Sequence, residues 1–197
     1  MYEERKIKMK IRLAAELQTD SIVDGEGIRA VIWTQGCPHN CYKCHNPFTH
    51  DFNDGALIDI EKIKEEISNL KGHSGLTFSG GDPMVQPEAC YEIAKYAKSI
   101  GLNIWCYTGY TIEELVSLSV NKPEIMKFLS VIDILIDGRF IYALKSFDAK
   151  YRGSTNQRII DVPLTLQKNE VVLAEKYYEN YEEDVDILNH EKSYMFV

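Results

Sequence analysis

Apolar residues recur along this chain with two different periods, and the two take turns. Ile11, Leu13 and Ala15 alternate with Arg12, Ala14 and Glu16, the two-residue period of a half-buried strand. The polar, glycine-bearing run Asp20–Gly27 reads as a turn, and Ile28–Thr34 restarts as a strand. Ile60, Ile63, Ile67 and Leu70 then fall at helical spacing, with Asp59 placed as N-cap. Leu76–Ser79 predicts a short strand. After Pro87 comes a helix with Ile93, Ala97 and Ile100 on one face and Gly101 as its stop. Ile104–Tyr107 is the next strand, and Thr111 with Glu114 makes a capping box for another helix. Pro123 suits the first position of a short helix through Leu129. Val131–Ile136 is a nearly continuous apolar strand, and Arg158–Val162 reads as the last one. Strands alternating with helices, each strand ending in a Gly- or Asp-bearing turn, point to an α/β fold. The expectation is a single compact domain with a parallel sheet and crossover helices, barrel-like but with too few units for eight.

Composition narrows the class. A chain of 197 residues, 45% apolar and 26% charged, is ordinary for a globular domain with a real core. A net charge of −8 argues against a general nucleic-acid binder, which needs a basic face. No apolar stretch approaches membrane-spanning length, and Met1–Lys10 is charged without an apolar core, so no membrane and a cytoplasmic location are expected. A reducing compartment also suits free thiolates. From Leu166 onward eight acids face three lysines. The expected division is therefore a domain over 1–165 and an acidic extension over 166–197, in which Val171–Leu173 and Tyr194–Val197 are apolar enough to dock.

The chemistry is concentrated in Cys37-Pro38-His39-Asn40-Cys41-Tyr42-Lys43-Cys44-His45-Asn46-Pro47. Three of the five cysteines lie within eight positions, spaced C-x3-C-x2-C, just after the second strand. Thiolates are soft ligands that select zinc, Cu(I) or iron–sulfur clusters. Three of them leave one iron of a cubane open to a small molecule. A structural zinc site wants four ligands, which His39 or His45 would complete here. The odd cysteine count, with no secretory signal, argues against a disulfide. Cys90 on a helix and Cys106 in a strand read as core cysteines, and Tyr42 is expected to pack over the loop. Other strand ends carry Gly80-Gly81-Asp82-Pro83, Thr108-Gly109 and Asp137-Gly138-Arg139, the positions where α/β proteins hold ligands. Glycines let the main chain approach a ligand closely, although a Gly-Gly pair taken alone is only a turn. Asp82 is placed either to bind an ammonium or to cap the next segment.

These segments together resemble the radical S-adenosylmethionine (SAM) enzymes and, within them, the activating enzymes of anaerobic ribonucleoside-triphosphate reductase. The resemblance runs from Ile11 to Val162. Besides the cysteine loop it rests on Ser21–Arg29, His45-Asn46-Pro47, Gly80–Pro83, Tyr107–Tyr110, Asp137–Phe140 and Tyr151–Gln157. One departure is Lys43, where many radical-SAM proteins have an aromatic residue.

What the resemblance implies is specific. Cys37, Cys41 and Cys44 would ligate a [4Fe–4S] cluster and form the catalytic centre. SAM would chelate the open iron and be cleaved reductively to a 5′-deoxyadenosyl radical, which takes a hydrogen from a glycine Cα of the reductase. Lys43, Cys44, His45, Gly80, Gly81, Asp82, Thr108, Asp137 and Arg139 would line the cofactor site, with Gly80–Gly81 at the methionyl ammonium and Arg139 suited to the carboxylate. Asn156 and Gln157 are placed to hydrogen-bond either the adenine or a backbone. The partners implied are the reductase and a low-potential electron donor such as flavodoxin. An activase of another glycyl-radical enzyme, or a small radical-SAM enzyme acting on a metabolite, is the alternative, and a zinc-stabilised binding module is the rival from another class.

Overall fold

Burial in the central strands follows the pleat of a sheet with a different environment on each face. The computed structural model describes residues 8–178. In chain order the elements are β1 (Lys10–Leu13), β2 (Gln18–Ser21), β3 (Arg29–Thr34), β4 (Ala56–Asp59), α1 (Ile60–Ser68), β5 (Gly75–Gly80), α2 (Pro87–Ser99), β6 (Asn103–Tyr107), α3 (Ile112–Ser119), α4 (Glu124–Leu129), β7 (Ile134–Asp137), β8 (Arg158–Asp161) and α5 (Val162–Lys168). The eight strands form one sheet in the order β4-β1-β3-β5-β6-β7-β8, with β2 also paired to β3. Strands β3, β5, β6 and β7 run parallel, joined through helices as the periodicity predicts. No helix among the described residues is long and apolar enough to cross a membrane.

Ile32, Leu76, Phe78, Ile104, Cys106, Leu135 and Ile160 point to the helical side. There they meet Ile63 and Ile67 of α1, Ile93 and Ala97 of α2, Leu115 of α3 and Phe128 of α4. Cys90 and Cys106 belong to this core, as their surroundings in the sequence suggest. The caps are also as expected: Asp59 accepts from Glu61 N, and Thr111 and Glu114 form the reciprocal capping box.

The opposite face is smaller and more polar. Trp105, Ile134, Ile136, Ile159, Ala174 and Tyr177 make a second apolar cluster on it. Arg29 is buried on the same side, its guanidinium 5.1 Å from the Trp105 ring centre. All five of its N–H groups are used: Nε donates to Thr77 Oγ1, Nη1 to Asn103 Oδ1 and Glu26 O, Nη2 to Leu76 O and Asn103 O. Every acceptor is neutral. Burial lowers its pKa to about 10, so it stays charged at neutral pH.

Several expectations need correcting. The sheet is mixed, since β1, β2, β4 and β8 all pair antiparallel. Part of the expected turn at Asp20 is β2, an edge strand whose polar side chains hide what its backbone pairing with β3 makes plain. β4, a four-residue strand too short to stand out, hydrogen-bonds β1 along its length. The strand expected from Val131 begins at Ile134, because Val131 and Ile132 still donate to carbonyls of α4. Pro123 caps α4 rather than opening it. Val162 starts a helix, because Asp161 caps it by accepting from Leu164 N.

Of the acidic extension, residues 179–197 lie outside the described residues, Tyr194–Val197 with them. Residues 166–178 are described. Asp161 N donates to Val172 O and Ala174 N to Ile159 O, which lays this segment along β8. Tyr177 then packs edge-on to Trp105.

Replacing Arg29 by Met keeps the volume but leaves five acceptors without their donors. Breaking such a network costs about 3 kcal/mol or more. Arg29→Met is expected to lower the denaturant midpoint accordingly, with an unchanged slope.

Candidate active site

The parallel strands deliver their C-terminal ends to one cavity of about 420 Å³. Cys37, Cys41, Cys44 and His45 line it from the loop after β3, Gly80 and Gly81 from the end of β5, and Thr108 and Gly109 from the end of β6. Seven of the residues expected at the cofactor are therefore together: Cys37, Cys41, Cys44, His45, Gly80, Gly81 and Thr108.

Backbone bonds pin the cysteine loop at its base. Gly36 N donates to Thr49 O (2.9 Å) and Cys37 N to His50 O (3.1 Å), while Gln35 Nε2 reaches Asp51 O at 2.7 Å. Inside the loop, Asn40 (φ 46°) and Lys43 (φ 53°) take left-handed conformations, which coil the chain tightly between successive cysteines. Asn46 N donates to Cys44 Sγ at 3.4 Å, the kind of bond that tunes a thiolate ligand. Gly81 N donates to Thr34 O, and a Cβ on Gly81 would run into the carbonyls of Gly36 and Thr49. Glycine is needed there because two backbones cross in contact.

Four expected cofactor residues stand elsewhere. Asp82 is fully buried beneath the loop and does not line the cavity. It accepts from His39 Nε2 (2.8 Å), Met84 N (2.9 Å), Gly109 N (3.0 Å) and Thr108 Oγ1 (2.9 Å), so its oxygens are already occupied. Of its two expected roles, the cap is the one present. Asp137 is also buried; it accepts from Ile112 N at the start of α3 and from Arg158 Nε. Arg139 is turned onto His39, donating from Nε to Nδ1 (3.3 Å) and from Nη2 to the backbone carbonyl (3.0 Å). Lys43 is exposed, its ammonium 4.2 Å from the centre of the Tyr142 ring. Tyr42 is exposed and stacks edge-on with Tyr142, rather than covering the loop.

Other residues take the vacant places. His50 and Arg152 line the cavity, and each has a buried ring or guanidinium nitrogen, Nε2 and Nε respectively, without a protein partner. Tyr107 and Tyr151 line it as well. Tyr151, at φ 57°, holds an aromatic residue in a conformation that bulky side chains avoid. Gln157 lines the cavity while accepting from Gly153 N, whereas Asn156 donates to Arg139 O. The Tyr107–Tyr110 and Tyr151–Gln157 segments carried a sequence signal for the others; His50 carried none.

The donor set fits an iron–sulfur cluster. Burial pushes the Cys37 thiol up to about 11 and raises the Cys41 thiol too, so both need a positive centre nearby to become thiolates. Among the described residues no three His, Cys, Asp or Glu side chains are grouped around a single ion position. A cubane asks for no such grouping, because each thiolate takes its own iron.

Comparison with known proteins bears on the same residues. A family described as a 4Fe-4S single cluster domain matches residues 23–160. The anaerobic ribonucleoside-triphosphate reductase-activating protein of Salmonella typhi is 34% identical over 145 residues, which cover 69% of this chain and 90% of that one. The protein of the same name from Escherichia coli K12 is 33% identical with the same coverage. This chain belongs to the anaerobic ribonucleoside-triphosphate reductase-activating protein family. The family reaches a virus as well: the protein so named from Enterobacteria phage T4 is 33% identical over 70% of this chain and 86% of its own. Among solved structures, QueE from Escherichia coli resembles this member with a TM-score of 0.43 at 15% identity, over 52% of this chain and 54% of that one. That likeness is too slight to carry an argument. The family membership makes this an iron–sulfur protein, which sets aside the zinc module.

Two outcomes follow for the site's frame. Gly81→Ala forces the β5 turn away from Gly36 and is expected to cost about 1–3 kcal/mol, read as a lower unfolding midpoint together with poorer iron retention. The second concerns Glu113, which pairs with Arg158 beside Asp137. Bonds from Arg158 hold its carboxyl down at about 2. A depressed carboxyl contributes stability above its unfolded pKa, about 4.3, and loses it as pH falls toward about 2. The pair is largely exposed, so the effect stays below about 1 kcal/mol. Glu113→Gln is expected to lower stability at pH 7 by less than about 1 kcal/mol and to flatten the profile in that acid window, the difference from wild type vanishing near pH 2.

Proposed function

We propose that this chain is the activating enzyme of an anaerobic ribonucleoside-triphosphate reductase, an oxidoreductase that uses a [4Fe–4S] cluster and SAM to make a glycyl radical on its partner. The observation that carries this reading is that Cys37, Cys41 and Cys44 face Gly80–Gly81 across one strand-end cavity in a member of the activating-protein family. Cys37, Cys41 and Cys44 would each hold one iron and leave the fourth open. When bound, the cluster would supply the electron for reductive cleavage of SAM to a 5′-deoxyadenosyl radical able to take the glycine hydrogen.

The chain's own residues prepare the site. The bare backbone of Gly80–Gly81 suits a methionyl ammonium. Thr108 commits its proton to Asp82, which leaves its oxygen at the cavity as an acceptor for a ribose hydroxyl. Arg152, which lines the cavity, takes the carboxylate role expected of Arg139. His45 packs against Phe140 at the mouth, with ring centres 4.7 Å apart.

A volume of 420 Å³ lies at the small end of ligand pockets, which span about 300–1,000 Å³. Cluster and SAM leave no room there for a nucleotide. A peptide loop of a larger protein entering from outside fits better. Electrons come from a low-potential donor such as flavodoxin. Five free cysteines suit a reducing cytoplasm. In this reading residues 1–165 are the radical-SAM unit and 166–197 its acidic extension.

Changing Cys37, Cys41 or Cys44 to Ala is expected to abolish cluster assembly, seen as loss of iron and visible absorbance, whereas Cys90→Ser and Cys106→Ser keep the cluster. Reduced enzyme, SAM and the reductase are expected to give a glycyl radical in electron paramagnetic resonance. Deuterium on the target glycine Cα is expected to appear in 5′-deoxyadenosine. SAM cleavage with neither radical nor label transfer would overturn the assignment in favour of a metabolite substrate.

A further inference from the structure

We propose that the buried carboxylate of Asp82 is a fixed negative charge that lowers the reduction potential of the cluster held by Cys37, Cys41 and Cys44. The inference rests on the three-cysteine reading above. It gives Asp82 an electrostatic and positioning role in place of the ligand contact expected of it.

The first observation is what Asp82 lacks. It has no exposed surface, and among the described residues no lysine or arginine is paired with it. Its partners are a hydroxyl, two backbone amides and the His39 ring.

The second observation settles the charge of that ring. Arg139 Nε carries a hydrogen and approaches His39 Nδ1 at 3.3 Å, so Nδ1 must offer a lone pair. The imidazole hydrogen is therefore on Nε2, aimed at Asp82 Oδ2 2.8 Å away. His39 is a neutral donor and does not cancel the carboxylate.

The third is location. His39 lies between Cys37 and Cys41, and its ring bridges the loop directly to Asp82. The backbone brings it close to the ligands as well: Asp82 N donates to Gly36 O at 2.9 Å, one residue before Cys37.

An electron added to the cluster enters next to a buried anion, where low dielectric leaves the repulsion poorly screened. Net charge and hydrogen bonding are the protein's levers on cluster potential. Asp82 thus makes the reduced cluster a stronger reductant, which suits a reaction that must break an unactivated bond. Arg139 is an opposing positive charge at the other end of the same imidazole, weakened by its exposure to solvent.

The test is a redox titration of the full-length, anaerobically reconstituted protein without SAM, followed by the paramagnetic resonance of the reduced cluster. Asp82→Asn is expected to move the midpoint to a more positive potential with about four irons per chain retained. Arg139→Gln is expected to move it to a more negative one, measured near pH 9 where a free imidazole stays neutral. Loosened packing has no reason to give opposite signs. Unmoved midpoints, or shifts in the same direction, would overturn the proposal. Should Asp82→Asn fail to take up iron, the exposed Arg139 decides alone: a negative shift supports the proposal, and no shift or a positive one rejects it. Wild-type protein that never reaches about four irons would reject the three-cysteine reading itself, and this proposal with it.

Discussion

A single buried carboxylate ties together three loops that the chain sends to the site from distant positions. Asp82 follows β5, Thr108 and Gly109 follow β6, and His39 sits in the middle of the cysteine loop; all three loops meet at its two oxygens. A hydrogen bond to a charged acceptor is roughly twice as strong as a neutral one, and burial sharpens the penalty for leaving it unmade. The loops are consequently held in register with one another rather than each being fixed separately. Gly81 and Gly109 have no side chain at the points where this convergence brings backbone or ring against them.

The sheet beneath makes that convergence possible. Its helical face is apolar and sets the stability of the fold, whereas its other face mixes Arg29 and Thr77 with an aromatic cluster. Arg29 spans β3, β5 and β6 through side-chain and carbonyl acceptors. It ties together the same strands whose far ends carry the site. Arg158 acts similarly at the next strand, joining Asp137 at the end of β7 to Glu113 on α3. Arg29 thus braces the polar side of the sheet, whereas Arg158 ties the ends of β7 and β8 to α3 on the side held by hydrophobic packing.

A small cavity at the open ends of parallel strands suits a protein that presents a reactive centre to another protein. Lys43 and Tyr42 of the cysteine loop meet Tyr142, from the segment after β7, in an exposed cation–aromatic group outside the cavity lining.

The sequence by itself determined what depends on near neighbours along the chain. The cysteine spacing, the Gly-Gly turn, the capping box at Thr111 and Glu114 and the places of the central strands were all legible, because each is a local pattern with a local cause. Tertiary structure decided what depends on groups brought from far away. The antiparallel pairing of β1, β4 and β8 was not written in their residues, since a short strand takes its direction from its neighbours in the sheet. Asp82 read as a candidate ligand because nothing beside it in sequence shows that donors 26, 27 and 43 residues away consume its oxygens. His50 had no marker as a cavity residue and Arg152 only its place in the Tyr151–Gln157 segment, because what singles them out is a buried nitrogen left without a partner. Whether a polar group is satisfied is a property of the assembled fold.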